Sequence, residues 1–256
     1  DEHYHMYTDD LLHPTLVAMI ALKHAIDRIE VSAFSPYTTS ETAFPALFNT
    51  INAIQTSSGL TQLMFCGVDP VHYEQCLSNN VHWKPTWMEV YGAHVFESHT
   101  PPTVDDFKEP DYVVTDLREN DADTINDTWK YKTAASILLV KKMIGMGQCR
   151  GIRHIPANST STESDANDSG ELVSWFLQYP DGSMGMLYTT PAHRSNGLAR
   201  VVVKSALHKV ISNPETRKCA PYVFIEVSNE ASRALFVSLG FTRKHDAVWA
   251  ILKHQS

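Results

Sequence analysis

The chain has 256 residues, of which 43% are hydrophobic and 20% charged, a composition typical of a globular protein with one large or two small domains. The formal net charge is −8, which argues against a general nucleic-acid-binding surface. No apolar run approaches the roughly 20 residues that span a bilayer, so no membrane partner is expected. The four cysteines form no C-x-x-C pair. This spacing predicts reduced thiols in an intracellular protein without a metal site.

The N-terminal half is predicted to alternate between helices and strands. Residues 10–29 carry apolar side chains at helical spacing and predict an amphipathic helix, which Asp9 or Asp10 would cap. The histidines at 3 and 5 are interpreted as part of a mobile terminus. The other predicted elements of this half are a strand at 29–35, a helix at 40–55, a strand at 61–68, a helix at 70–78 and a strand at 87–96.

A linker separates this half from the rest of the chain. Residues 97–111 are rich in proline and acidic residues, a composition that predicts a domain boundary near residue 110. The two expected domains are therefore a divergent α/β domain over 1–110 and a second domain over 111–256.

The second domain is predicted as a mixed α/β fold with the order β-α-α-β-β-β-α-β-α-β. "DG" at 181–182 joins two strands and is a strong hairpin signal. Residues 158–170 are polar and predict a flexible loop. The predicted elements are strands at 111–117, 149–155, 171–180, 183–190, 222–227 and 246–253, with helices at 121–129, 134–146, 197–212 and 230–239.

The connection between the strand at 183–190 and the next helix reads R-x-x-G-x-A. Free N–H groups and the positive end of the helix dipole gather where a helix begins, so such a turn binds phosphate through its backbone. Gly197 permits a close backbone approach, and Ala199 is small enough for the helix to pack near a ligand. An ordinary strand–turn–helix connection remains the alternative for this motif alone. The predicted phosphate-binding residues are Arg194, Ser195, Asn196, Gly197, Leu198 and Ala199.

A second motif accompanies this turn one helix and one strand later, where residues 229–241 read "NEASRALFVSLGF". Together the two motifs resemble the GNAT superfamily of acyl-CoA-dependent N-acyltransferases, over about 111–256. The resemblance implies the GNAT fold: a mixed, mostly antiparallel sheet flanked by helices and splayed where CoA binds. It also implies acetyl-CoA or another acyl-CoA as co-substrate, with the turn holding the pyrophosphate and no metal taking part.

Two further segments narrow the resemblance. The N-x-x-W-x-Y element at 126–131 and "PAHRSNGL" at 191–198 are similar to the glycine N-acyltransferase-like branch. That branch implies a small-molecule acceptor, the amine of glycine or another small amino acid, and an enzyme of the cytoplasm or mitochondrion. A protein or peptide N-acetyltransferase and a non-catalytic acyl-CoA-binding regulatory protein are the alternatives. The oligomeric state is left open.

The resemblance also implies roles for individual residues. The pantetheine arm of CoA would run along the backbone of Leu187, Tyr188 and Thr189, beside a wall formed by Asn229 and Phe236. The amine would attack the thioester directly, after a base has taken its proton. Relatives of the glycine branch often carry a glutamate where this chain has Ser183, a residue that is able to order a water molecule. The base is therefore assigned to Glu226, with His193 as the alternative.

Overall fold

The computed structural model describes residues 2–8, 16–24, 27–34, 43–70, 84–93, 111–133, 136–155, 170–215 and 220–253. The chain divides into two compact units. Unit 1 takes in Asp1–Val90, Ile225–Asn229 and Lys244–Ser256, and unit 2 takes in Tyr91–Phe224 and Glu230–Arg243. The domain boundary at residue 110 stays a prediction, because 94–110 lie outside the described residues. No described helix is long and apolar enough to cross a membrane.

The described residues of unit 1 form a sheet and one long helix. Its strands are β1 (Glu2–Thr8), β2 (Val17–Lys23), β3 (Arg28–Phe34), β4 (Gln62–Val68), β5 (Lys84–Ala93) and β11 (Phe241–Lys253), in the order β1-β2-β3-β4-β11-β5. Helix α1 (Ala43–Ser58) places Leu47 and Ile51, four residues apart, in the buried core with Phe65 of β4. Strands β3 and β4 are parallel, because α1 crosses over between them.

The helix predicted over residues 10–29 is wrong. The described part of this segment forms β2 and the start of β3, an antiparallel pair in which Val17 lies opposite Phe34 and Lys23 opposite Arg28. The connection turns at Asp27, whose φ of 51° is left-handed and whose carboxylate accepts the Thr61 N–H at 2.8 Å. A dense apolar run fits helical and strand spacing alike, and pairing with β1 and β3 decides for the strand.

The other predictions for the N-terminal half, and the loop predicted at 158–170, have different outcomes. The segment predicted as a mobile terminus forms β1, paired with β2 from Glu2 opposite Lys23 to Thr8 opposite Val17. The helix at 70–78, the cap at Asp9 or Asp10 and the flexible loop at 158–170 fall almost wholly outside the described residues. The predicted helix at 40–55 and strands at 29–35, 61–68 and 87–96 are confirmed, with ends displaced by a few residues.

From residue 111 onward the chain follows the predicted order of elements, which ends in β11, and the described strand pairs of unit 2 are mostly antiparallel. Its strands are β6 (Tyr112–Thr115), β7 (Arg150–His154), β8 (Glu171–Gln178), β9 (Ser183–Thr189) and β10 (Tyr222–Glu226, of which the last two residues count to unit 1), and its helices are α2 (Ala122–Thr128), α3 (Ser136–Gly145), α4 (Leu198–Ser212) and α5 (Glu230–Ser238). The strand order is β10-β9-β8-β7-β6, and among the described pairs of this sheet only β9 and β10 run in parallel.

Two contacts hold the interior of unit 2 in place. Helix α4 packs against β7, β8 and β9 and buries Val202, Val203 and Ala206 along one face. A buried ion pair joins β7 to the start of α2, where Arg153 Nη2 donates to both carboxylate oxygens of Asp121 at 2.8 and 2.6 Å. The same carboxylate accepts the Arg118 N–H at 2.8 Å. These bonds fix the start of α2 against the sheet.

Candidate active site

The strand that leads to the predicted phosphate turn is bulged. On β8 one residue separates Trp175 from Leu177, whereas two residues separate their partners Tyr188 and Gly185 on β9. The bulge contains Met186, which has a left-handed φ of 52°. A bulge of this kind leaves a residue outside the ladder and bends the strand.

The bulge lies just beyond the point where β9 and β10 stop pairing. Their parallel ladder joins Ser183 to Tyr222 and Met184 to Val223, and no described ladder pair from β10 faces Gly185 to Thr189. On the opposite side, Thr190 N–H donates to Val173 of β8 at 2.8 Å. Backbone groups of successive strand residues alternate in direction, so those of Thr189 point away from β8. The Thr189 N–H at the end of β9 is therefore directed to the side from which an extended ligand is able to approach.

The turn after β9 presents a row of backbone donors. A short 3₁₀ segment, Pro191–His193, leads to Ser195 with φ 67° and to Gly197 with φ 74° and ψ 0°. The first N–H groups bonded into helix α4 are those of Arg200 and Val201, which donate to the Gly197 carbonyl at 3.0 and 3.3 Å. The five N–H groups of residues 195–199 have no acceptor among the described residues.

These donors stand at the N-terminus of a 15-residue helix. The partial positive charge of such a terminus and the converging N–H groups attract an anion. Ser195, Asn196 and Gly197 are exposed, so a ligand is able to reach them from solvent. A Cβ added at Gly197 would meet no atom within 4 Å, and its left-handed φ is therefore what calls for glycine here.

Side chains hold the turn in this shape. Arg194 Nε donates to the Thr189 carbonyl at 3.0 Å, and its guanidinium lies 5.7 Å from the centre of the Tyr188 ring. Asn196 Nδ2 donates to the Tyr112 hydroxyl at 3.2 Å. That hydroxyl lies 2.9 Å from His193 Nδ1. Tyr112 on β6 therefore anchors both ends of the turn, a role that sequence reasoning missed because no local signal links residue 112 to residues 193–196.

The remaining predicted residues fall into two groups. In unit 2, Ser183 is buried, and its hydroxyl donates to Asp181 in the hairpin turn at 2.7 Å. Phe236 is also buried, and the centre of its ring lies 5.8 Å from that of Phe176 and 5.0 Å from that of Phe241. In unit 1, Glu226 is half-buried and its carbonyl accepts the N–H of exposed Asn229 at 2.8 Å. The catalytic or CoA-binding role of each stays a prediction.

Comparisons with known proteins identify the fold of the chain. Residues 164–250 match the family model described as FR47-like protein. A GCN5-related N-acetyltransferase from Sphaerobacter thermophilus superposes with a TM-score of 0.60 and 12% identity, over 94% of this chain and 77% of that one. The chain has the GNAT fold. The predicted fold class is therefore confirmed, including the mostly antiparallel sheet.

Two other solved structures superpose on nearly the whole chain. A Drosophila melanogaster protein has a TM-score of 0.76 and 17% identity, over 98% of this chain and 79% of that one. A tandem GNAT protein from the clavulanic acid biosynthesis pathway, solved without acetyl-CoA, has a TM-score of 0.56 and 14% identity, over 100% of this chain and 84% of that one. No curated protein sequence matches the chain significantly.

Proposed function

We propose that this protein is an acyl-CoA-dependent N-acyltransferase that acylates the amine of glycine or another small amino acid. The observation that carries the proposal is the turn after β9, where the five consecutive N–H groups of residues 195–199 lead into the first turn of helix α4 and have no acceptor among the described residues. A pyrophosphate supplies the negative charge and the acceptor oxygens that such donors require. The match to the FR47-like family model and the names of the GNAT neighbours support the same activity.

In this proposal two segments of the protein bind two parts of the acyl-CoA molecule. Residues 194–199 hold the pyrophosphate, and the pantetheine arm lies along Leu187, Tyr188 and Thr189 beyond the bulge of β9. The arm's amide groups then pair with the backbone as an additional strand would. A backbone N–H of this segment donates to the thioester carbonyl and stabilises the negative charge that develops on its oxygen. Asn229 and Phe236 border the arm.

The acceptor amine reacts by direct attack. Glu226, directly or through a water, takes a proton from the ammonium group, and the neutral nitrogen attacks the thioester carbon. The C–N bond forms and the C–S bond breaks, so the CoA sulfur leaves as a thiolate and the nitrogen gives up a second proton. Thiols ionise near pH 8.5, and a thiolate is therefore an acceptable leaving group near neutral pH. The thiolate is protonated from solvent, since Phe236 has no hydroxyl to donate.

A second candidate function has its own support. Ser183 stands where a base is often found in the glycine branch. Its hydroxyl, however, donates to Asp181, and the residue is only 4% exposed. The buried Phe236 offers no proton near the expected sulfur position. Both observations favour a protein that binds acyl-CoA and does not turn it over. The phosphate turn is common to both functions, so binding alone does not separate them.

Release of free CoA thiol from acetyl-CoA and benzoyl-CoA separates the candidates. We expect saturable release that requires glycine or another free amino acid, with the N-acylated product detected by mass spectrometry. Release that requires a peptide amine would replace the acceptor in the proposal. CoA-dependent stabilisation against heat without turnover for any acceptor would establish the non-catalytic binder. If the protein showed neither turnover nor stabilisation by CoA, both candidate functions would be refuted.

A further inference from the structure

Three potential metal ligands converge beside the phosphate turn in unit 2. His154, Glu171 and His193 each offer one ligand atom, and these atoms lie within 4.8 Å of one another. His154 ends β7 and Glu171 begins β8, where the register places the two residues opposite each other. His193 comes from the 3₁₀ segment after β9. The three residues are far apart in the sequence, so no motif with a fixed spacing predicts the cluster.

The chemistry of this ligand set favours a first-row divalent metal. Two imidazoles and one carboxylate are a ligand combination found in zinc sites that keep an open fourth position. Ligand atoms around a tetrahedral zinc ion are about 3.3 Å apart, given bonds of about 2.0 Å. The ligand atoms of this protein lie within 4.8 Å of one another, so the side chains need to close by at most about 1.5 Å to hold such an ion. Glu171 is exposed and both histidines are half-buried, which leaves the carboxylate room to move.

The surroundings of His193 orient it for this role. Its Nδ1 lies 2.9 Å from the Tyr112 hydroxyl, which also accepts a hydrogen bond from Asn196 Nδ2. When Nδ1–H donates to that oxygen, the lone pair of Nε2 is free to bind a metal. The rings of His154 and His193 are 4.8 Å apart, and the Tyr112 ring lies 5.2 Å from His154. The aromatic contacts thus hold both imidazoles at one place.

We propose that His154, Glu171 and His193 form a binding site for one divalent transition-metal ion, best suited to Zn²⁺. The ion would join the phosphate turn to the ends of β7 and β8, because His193 lies directly before Arg194. This inference rests on the geometry of the three side chains and not on the acyltransferase activity. Metal binding to the full chain without CoA tests it independently of that activity.

The experiment uses isothermal titration of the full chain with Zn²⁺, together with the absorption spectrum of the Co²⁺ form under reducing conditions. We expect one equivalent to bind and the Co²⁺ bands to lack a thiolate charge-transfer component. His154→Asn, Glu171→Gln and His193→Asn are each expected to weaken binding by at least the roughly 10- to 100-fold that loss of an outer partner costs. His208→Asn removes an exposed histidine of α4 and is the matched control.

The outcomes separate this site from incidental binding by the other histidines and the cysteines. Unaltered affinity in the three variants, equal loss in the His208→Asn control, a thiolate band, or no saturable binding would each overturn the proposal. Because Glu171 is exposed, Glu171→Gln is expected to fold normally, which a matching Tm checks. Tyr112→Phe provides a further readout, since removal of the hydroxyl is expected to weaken Zn²⁺ binding while all three ligands remain.

Discussion

Replacement of Gly197 by valine isolates the contribution of the phosphate turn. Gly197 has φ 74° and ψ 0°, and a Cβ at this position meets no atom within 4 Å. The cost of the substitution therefore comes from the backbone conformation and not from a steric clash. Holding a non-glycine residue in the left-handed region costs about 1–3 kcal/mol, and more for a β-branched residue than for alanine.

That cost converts directly into a change in CoA affinity. If the bound state requires the left-handed turn, each 1.4 kcal/mol spent on restoring it weakens binding tenfold, so the CoA dissociation constant should rise roughly 5- to 150-fold. The N–H groups of Asn196 and Gly197 are directed by the same turn and would lose their alignment when the backbone relaxes. The CoA complex is thus more sensitive than the fold.

Gly147 supplies the matched control. It also has φ 74° with no atom within 4 Å of an added Cβ, and it follows helix α3 outside the turn. Gly147→Val should lower the free energy of unfolding in urea about as much as Gly197→Val, while its CoA affinity by isothermal titration stays that of the wild type. Unchanged CoA affinity in Gly197→Val would refute the phosphate-turn assignment, as would an equal loss in Gly147→Val.

Three further predictions concern the base, the buried ion pair and a buried thiol. Glu226→Gln should lower turnover by about 10²- to 10⁴-fold at an unchanged acyl-CoA dissociation constant, and a pH–rate profile identical to that of the wild type would remove Glu226 as the base. Arg153→Met leaves the carboxylate of Asp121 buried without its partner, their side chains being 5% and 10% exposed. Urea denaturation should therefore show a loss of about 3–5 kcal/mol, and a loss under 1 kcal/mol would contradict it. Burial raises the pKa of the Cys149 thiol from 9.0 to about 11, so the unfolded state ionises first. The stability this thiol contributes is complete below pH 9 and is lost as the pH rises towards 11. Cys149→Ala should show a weaker fall in unfolding free energy across that range, and parallel curves would disprove the assignment.

In the second half of the chain, local sequence patterns were sufficient to predict where strands, turns and helices begin and end. The "DG" hairpin signal placed the turn between β8 and β9, where Gly182 has φ 86°. The R-x-x-G-x-A pattern located the start of α4 to within one residue. Glycines with left-handed backbone and strand-to-helix transitions are encoded by neighbouring residues, so one sequence is enough to recognise them.

The N-terminal half shows where such patterns fail. Residues 16–22 are apolar without interruption, and such a run satisfies the spacing of a helix and of a buried strand equally well. The choice between them depends on hydrogen-bond partners, which for β2 are β1 and β3. A partner strand brings pairing energy that outweighs the modest intrinsic preference for a helix.

The sequence by itself determined the position of the turn between β9 and α4, the order of the elements from residue 111 onward and the resemblance that led to the GNAT fold, because each depends on residues close together in the chain. Only the tertiary structure decided that Met186 forms a bulge, that Tyr112 anchors His193 and Asn196, and that His154 and Glu171 join His193. Strand register places His154 opposite Glu171, and the packing of the turn against β6 brings Tyr112 within hydrogen-bond distance of His193, which is 81 positions away. Neither contact leaves a periodic trace in the sequence.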